Sequence, residues 1–284
     1  MLKTRVITAL ALLPVAMAAV WYGEPWFTIL AAAFGLAAVV EFFRLGSATG
    51  AAPLPVLGAF FTLALILARS PGLTGLLPAG LAPAMVTPLL LAAAAITLLA
   101  GLARRRGRGD RLAGWAWTMA GLLYLGWLLG HAVALRGLEE GRNWLILALL
   151  ANTLSDSAAF LVGRSLGRHR LAPRISPRKT WEGALAGLVA AMALPLLFAA
   201  PQLGPWANPL HIAGLGRGEA VGVGALVSIF GQAGDLVESW LKRRAGVKDS
   251  GNLFPGHGGA LDRLDSVIFA VAAVYYYAWL TGAA

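Results

Sequence analysis

The sequence predicts an all-α, polytopic integral membrane protein with about nine transmembrane helices. Three observations predict it. Hydrophobic residues make up 58% of the 284 and charged residues only 13%, with a mean hydropathy of +0.73, too apolar for a water-soluble domain. Windows of about twenty apolar residues, long enough to cross a hydrocarbon core of about 30 Å, recur along the chain. The basic residues between those windows alternate in density, as loops on opposite membrane faces do.

The windows are 5–21, 26–42, 52–69, 83–102, 112–133, 143–162, 182–200, 219–239 and 265–282. The first has the basic residues, apolar core and small residues of a signal peptide. It is taken as a retained span, because a polytopic chain needs no removable signal. The third and fourth flank SPGLTGLLPAGLAPA, a Pro/Gly segment suited to a turn between antiparallel spans. Several windows are rich in Ala, Gly and Leu, as helices packed in lipid tend to be, and a homodimer through such small-residue faces is expected.

With the N-terminus in the cytoplasm, 19 of the 23 Lys and Arg fall on the cytoplasmic side, including the Arg104–Arg111 cluster and the Arg164–Lys179 and Lys242–Lys248 loops. Only Arg69, Arg136, Arg142 and Arg217 lie opposite, as the positive-inside rule requires. The net charge of +10 is thus a topology signal, and no nucleic acid partner is expected. No repeat or long linker appears, so residues 1–284 read as a single membrane domain. Its N-terminal spans occupy 1–140, and a catalytic transmembrane region with cytoplasmic loops occupies 141–284. The absence of cysteine excludes disulfides, thiolate metal sites and a cysteine nucleophile.

Two polar stretches interrupt this apolar frame. In residues 155–183, Asp156 sits within a span, where an isolated carboxylate is expensive, and on a helix it shares a face with Phe160 and Gly163. Six basic residues follow, ending at Arg178 and Lys179. Ser176 and Thr180 add hydroxyls, with Thr180 placed to cap a new helix and Gly183 three residues on. Hydroxyls, a helix N-terminus and cations make an anion site; alone, the same loop also reads as a basic face against anionic lipid headgroups.

The second stretch, Gly231–Ser266, holds five carboxylates and five basic residues. Asp235, Glu238, Ser239 and Lys242 follow one helix face, and Asp262 and Asp265 are spaced i, i+3. Antiparallel neighbouring helices would bring Asp235 to that pair. Three converging carboxylates suit Mg²⁺, and Lys242, Arg243 and Lys248 would complete a clamp for phosphate chemistry. The glycines of GHGG, Gly256–Gly259, let backbone N–H groups approach a phosphate. Glu41 and Arg44 look like an interfacial pair.

Ser239-Trp-Leu-Lys242-Arg243, Lys248-Asp249, Phe254-Pro-Gly-His257-Gly258-Gly259 and Asp262-Arg263-Leu-Asp265 together resemble the C-terminal signature of phosphatidate cytidylyltransferases. Ile175–Gly183 and Asp156 with Gly163-Arg164 resemble that family as well. The strong similarity covers about residues 152–270. The resemblance implies transfer of CMP from CTP to phosphatidate at the cytoplasmic face of the inner cell membrane, giving CDP-diacylglycerol and pyrophosphate. It implies Mg²⁺, with a second cation possible, held by Asp235, Asp262 and Asp265, and catalytic roles for these three with Lys248 and Arg263. Asp156, Ser176, Arg178, Lys179, Thr180, Ser239, Lys242, Arg243, His257, Gly258 and Gly259 are the implied substrate-binding set. The rivals fit worse: a Walker A loop and the patterned Asp and Gly residues of CDP-alcohol phosphotransferases are absent, and a transporter would usually show an inverted repeat.

Overall fold

A computed structural model of the protein describes residues 2–76, 81–103, 110–203, 206–256 and 258–282. Its helices in chain order are α1 (Leu2–Tyr22), α2 (Trp26–Ala48), α3 (Pro55–Leu67), α4 (Pro71–Thr74), α5 (Leu81–Ala103), α6 (Arg111–Gly121) and α7 (Leu128–Arg136). They continue with α8 (Gly141–Ser165), α9 (Trp181–Ala193), α10 (Leu196–Ala199), α11 (Arg217–Arg244), α12 (Leu261–Leu264) and α13 (Val267–Leu280). A π-helical turn, Leu122–Trp127, joins α6 to α7. Two antiparallel hairpins depart from the all-helical expectation: β1 (Arg170–Ala172) with β2 (Ser176–Thr180), and β3 (Gln202–Leu203) with β4 (Trp206–Ala207).

Six helices among the described residues are long and apolar enough to cross a membrane: Trp26–Ala48, Ala84–Ala103, Arg111–Arg136, Gly141–Ser165, Trp181–Ala199 and Arg217–Arg244. These coincide with six of the nine expected windows, and the chain is a multi-pass helical membrane protein. The first window carries α1, 21 residues long, and the third and last yield shorter helices. Pro55 starts α3 late, and its 13 residues reach only about 20 Å at 1.5 Å per residue. The last window is broken after α12, which leaves 14 residues in α13. Large apolar side chains such as Val56, Phe60, Leu91 and Leu197 point outward, as lipid-facing residues do.

By its contacts the chain forms two compact units, one of Met1–Ala134 with Leu241–Leu264 and one of Leu135–Trp240 with Asp265–Ala284. In the first, Phe61, Leu65, Val86, Ala93 and Leu122 make a buried core. Small residues bring its helices close: a methyl group at Gly58 would overlap the Phe43 ring, and one at Gly114 would overlap the Ala52 carbonyl. Asp110 starts α6 by accepting the Leu112 and Ala113 N–H groups at 2.9 and 3.1 Å, a standard N-cap.

In the second unit, α8 buries Trp144, Leu145, Leu147, Ala148 and Ala151. Its polar side meets α9 through small residues: a methyl group at Gly187 would come within 3.0 Å of both Ser155 oxygens. The β1–β2 hairpin lies between these two helices in sequence and pairs Arg170 with Thr180 and Ala172 with Ser176, with a bulge between. Thr180 ends the hairpin and caps α9, accepting the Gly183 N–H at 3.2 Å, as its sequence position predicts.

Candidate active site

In the first unit the signature loop is built around Asp262, at the start of α12. Its Oδ1 meets Lys242 Nζ at 2.6 Å. Its Oδ2 accepts the Ser250 N–H at 3.0 Å, the Ser250 hydroxyl at 2.9 Å and the Gly259 N–H at 2.8 Å. Gly258 adopts φ +81°, and a methyl group there would lie 2.6 Å from Asp262 Oδ2, so both backbone and space demand glycine. The Phe254 N–H donates to the Gly258 carbonyl at 2.9 Å, and the Phe254 ring stacks on Phe34 of α2 at 5.5 Å. Gly258 and Gly259 are therefore held against a carboxylate.

Beneath it, Glu41 of α2 is buried at 5% exposure, accepting from Ser250, Ala260 and Leu261. Lys248, Arg243 and Arg263 are exposed, and Arg243 Nη1 donates to the Val247 carbonyl at 3.1 Å where α11 ends. Exposed cations around a fixed, charged loop leave donors available to an anionic ligand.

In the second unit, Asp235 of α11 pairs with Lys179 of β2 at 2.6 Å, and its Oδ1 accepts the Ser239 hydroxyl at 3.2 Å, one helical turn on. Asp156 of α8, close enough to Asp235 and Lys179 to feel both charges, takes hydrogen-bond donors of its own. Asn152 Nδ2 donates to Ser266 Oγ at 2.9 Å, and Ser266 Oγ donates to Asp156 Oδ2 at 3.3 Å. Asp265 Oδ1 accepts the N–H of its neighbour Ser266 at 2.7 Å. Glycines make the close approach: a methyl group at Gly234 would overlap the Asp265 carbonyl, and one at Gly231 would overlap Asn152 Oδ1. Within α8, Ser155 bonds to Ser228 of α11 at 2.8 Å, and Gln232 donates to the same hydroxyl at 2.8 Å. Such polar contacts between spans hold helices in register where lipid supplies no hydrophobic drive.

Among the described residues, no group of three or more His, Cys, Asp or Glu side chains is placed to hold a metal ion. The three-carboxylate convergence expected of Asp235, Asp262 and Asp265 is thus not seen. Each carboxylate is satisfied locally instead, by Lys179 and Ser239, by Lys242, Ser250 and Gly259, and by the Ser266 N–H. Ser176 is half-buried in β2 and Arg178 is exposed beside it. His257 and residues 104–109 of the basic cluster lie outside the described residues. Sequence reasoning missed the parts played by Glu41, Asn152, Ser250 and Ser266. For Glu41 the signal was its charge within an apolar span, read instead as an interfacial pair.

Lysines paired to carboxylates, with further arginines left exposed, are groups that can meet a polyanionic ligand. The comparison with known proteins is more specific. Residues 3–281 match the cytidylyltransferase family, and the chain belongs to that family of nucleotidyltransferases. A protein of Brucella suis biovar 1 (strain 1330) is 38% identical over 284 residues, covering 97% of this chain and 93% of the relative. One from Brucella abortus biovar 1 (strain 9-941) is 37% identical with the same coverage. One from Bacillus subtilis (strain 168) is 41% identical over 157 residues, 54% of each chain. All three carry the name phosphatidate cytidylyltransferase.

Proposed function

We propose that the protein transfers CMP from CTP to phosphatidate, releasing pyrophosphate and forming CDP-diacylglycerol. The observation that carries this reading is the near full-length similarity to a phosphatidate cytidylyltransferase, 38% identical over 97% of the chain. The chemistry agrees with the residues. A phosphatidate oxygen is already anionic and needs no side-chain nucleophile. It attacks the α-phosphorus of CTP as the bond to the β-phosphate oxygen breaks, and pyrophosphate leaves with that electron pair. The protein's task is to hold two anions in line and to offset their charge.

Lys179 and Lys242, each now on a carboxylate at 2.6 Å, are cations that can turn to phosphate oxygens. Arg178, Lys248 and Arg263 are exposed and complete the cationic set. Gly258 and Gly259 bring backbone close to the site without side-chain bulk. Ser176 and Thr180 are the hydroxyl donors of the hairpin.

Mg²⁺ belongs to the same reading. Asp262 in the first unit and Asp235 in the second are hard oxygen donors, each paired with a lysine ammonium, and each could offer an oxygen to a divalent cation that takes its remaining ligands from water and substrate phosphates. When bound, such a cation supplies neutralising charge to the triphosphate. Asp265 is the third carboxylate of the proposal. The site is proposed to face the cytoplasm from the inner membrane, which the excess of Lys and Arg in its loops supports. Assembly as a homodimer completes the reading, and cross-linking in native membranes tests it.

The deciding experiment follows label from α-labelled CTP into lipid in detergent–lipid micelles, with and without phosphatidate and Mg²⁺. Label that needs both is expected, and folded protein that makes no labelled lipid with any nucleoside triphosphate overturns the reading. The orientation has its own test. The chain has no cysteine, so Arg174→Cys in the exposed hairpin introduces a single thiol. A membrane-impermeant maleimide is expected to label it only from the cytoplasmic side, and labelling from outside would reverse the topology.

A further inference from the structure

Glu41 takes no part in the transfer step as described, yet its surroundings are more fully built than those of most side chains in the molecule. It lies on α2, within an apolar span, where an isolated carboxylate is expensive. Its Oε1 accepts the Ala260 N–H at 3.1 Å. Its Oε2 accepts the Leu261 N–H at 2.9 Å and the Ser250 hydroxyl at 3.0 Å. These partners lie more than two hundred residues away in sequence, 209 for Ser250 and 220 for Leu261. The donors are not shared by accident. The Gly259 N–H goes to Asp262 and the next two N–H groups go to Glu41, so two carboxylates take three successive amides. The Ser250 hydroxyl lies within 3.0 Å of both carboxylates and ties them together.

Space tells the same story. All the nearest atoms that a methyl group at Gly251 would meet belong to Glu41, and a methyl group at Gly259 would overlap the Glu41 carboxylate. The loop is glycine where it passes Glu41 because a larger residue would push the carboxylate away.

We infer that Glu41 is a positioning residue for nucleotidyl transfer. It fixes Ser250, Ala260 and Leu261 from below, and so sets where Asp262 and the Gly258–Gly259 backbone are presented. This rests on the cytidylyltransferase reading. A neutral amide cannot replace the carboxylate, since the nitrogen end of a glutamine side chain at this position would turn N–H donors against N–H donors.

The test has two parts. Glu41→Gln is expected to lower kcat by about 100-fold while KM for phosphatidate stays within about two-fold, because a displaced loop misaligns chemistry without removing the lipid site. A kcat close to wild type overturns the inference, as does a comparable effect confined to KM. The second part is a cycle. Gly251→Ala is expected to reduce kcat in the wild-type background and to add nothing to the loss in Glu41→Ala, where the collision is gone. Additive losses overturn the inference. Hydrogen exchange separates this inference from its parent. Were the wild type inactive with CTP and phosphatidate, the parent reading alone would fail. Faster exchange at Ala260 and Leu261 in Glu41→Gln would still support the hold on the loop, and unchanged exchange would overturn it.

Discussion

The two units each carry a lysine–aspartate pair with the same 2.6 Å separation, yet the pairs are built differently. Asp262 receives three donors from its own loop besides Lys242, two of them backbone N–H groups, and the two side chains are 8% and 12% exposed. Asp235 receives one hydroxyl from its own helix besides Lys179, and the two side chains are 30% and 25% exposed. Backbone donors cannot swing away, and a buried ion pair is strongly destabilised when one partner is lost. A half-exposed pair between a helix and a hairpin is worth little to folding and can be exchanged. The comparison teaches that Asp262 is locked into its loop, whereas the Asp235–Lys179 pair is held by fewer donors and is the one that the proposed reading can exchange for a ligand.

The sharpest way to break the comparison is to neutralise each aspartate in turn. Asp262→Asn is expected to lower activity by about 10³-fold and stability by about 3–5 kcal/mol, since it leaves Lys242 buried and turns an amide donor toward backbone N–H groups. Thermal unfolding and label incorporation measure the two effects. Asp235→Asn should lower activity by about 10²-fold with stability within about 1 kcal/mol of wild type, and Lys179→Gln should raise KM for CTP by about ten-fold. Equal stability losses in the two aspartate variants would erase the distinction between the units.

A smaller effect probes the second unit alone. Ser266→Ala removes the hydroxyl that accepts from Asn152 and donates to Asp156. A loss of about 1–2 kcal/mol is expected, with a fall in activity of about five-fold, because one neutral hydrogen bond and one to a carboxylate are lost. Urea unfolding alongside the lipid-labelling assay gives both numbers. Unchanged activity would leave Asp156 outside the working site.

Much of this arrangement was legible in the sequence where the controlling signal is local. Six long spans and the N-cap of Thr180 follow from composition, spacing and local chemistry. The helix lengths in the third and last windows did not follow. Apolar composition marks a window, but Pro55 and the break at Asp265–Ser266 decide where helix begins and ends. The partners of the charges were less legible still. Helical spacing groups Asp235 with Lys242, whereas the ion pairs that form are Lys179 with Asp235 and Lys242 with Asp262. Nor does any local pattern join Glu41 to a loop 209 residues away. Its charge in an apolar helix was the only sign, and that sign names no partner.

The smallest expected effect bears on Thr180, whose hydroxyl has two possible employments. The oxygen caps α9 by accepting the Gly183 N–H, while the methyl group packs against the turn at Gly167, where an added Cβ would lie 2.7 Å away. The residue is 3% exposed. Thr180→Val keeps the methyl group, puts a second in place of the hydroxyl and loses the cap, for a stability loss of about 1 kcal/mol. Thr180→Ser keeps the cap and loses one methyl group, for about 0.8 kcal/mol. Stability therefore cannot tell the hydroxyl's two employments apart, but activity can. If the hydroxyl serves substrate as well as the helix, Thr180→Ser retains turnover while Thr180→Val falls by about ten-fold, the value of one hydrogen bond to a charged group. Equal turnover in the two variants, measured at a temperature where both are folded, would make Thr180 a cap and nothing more.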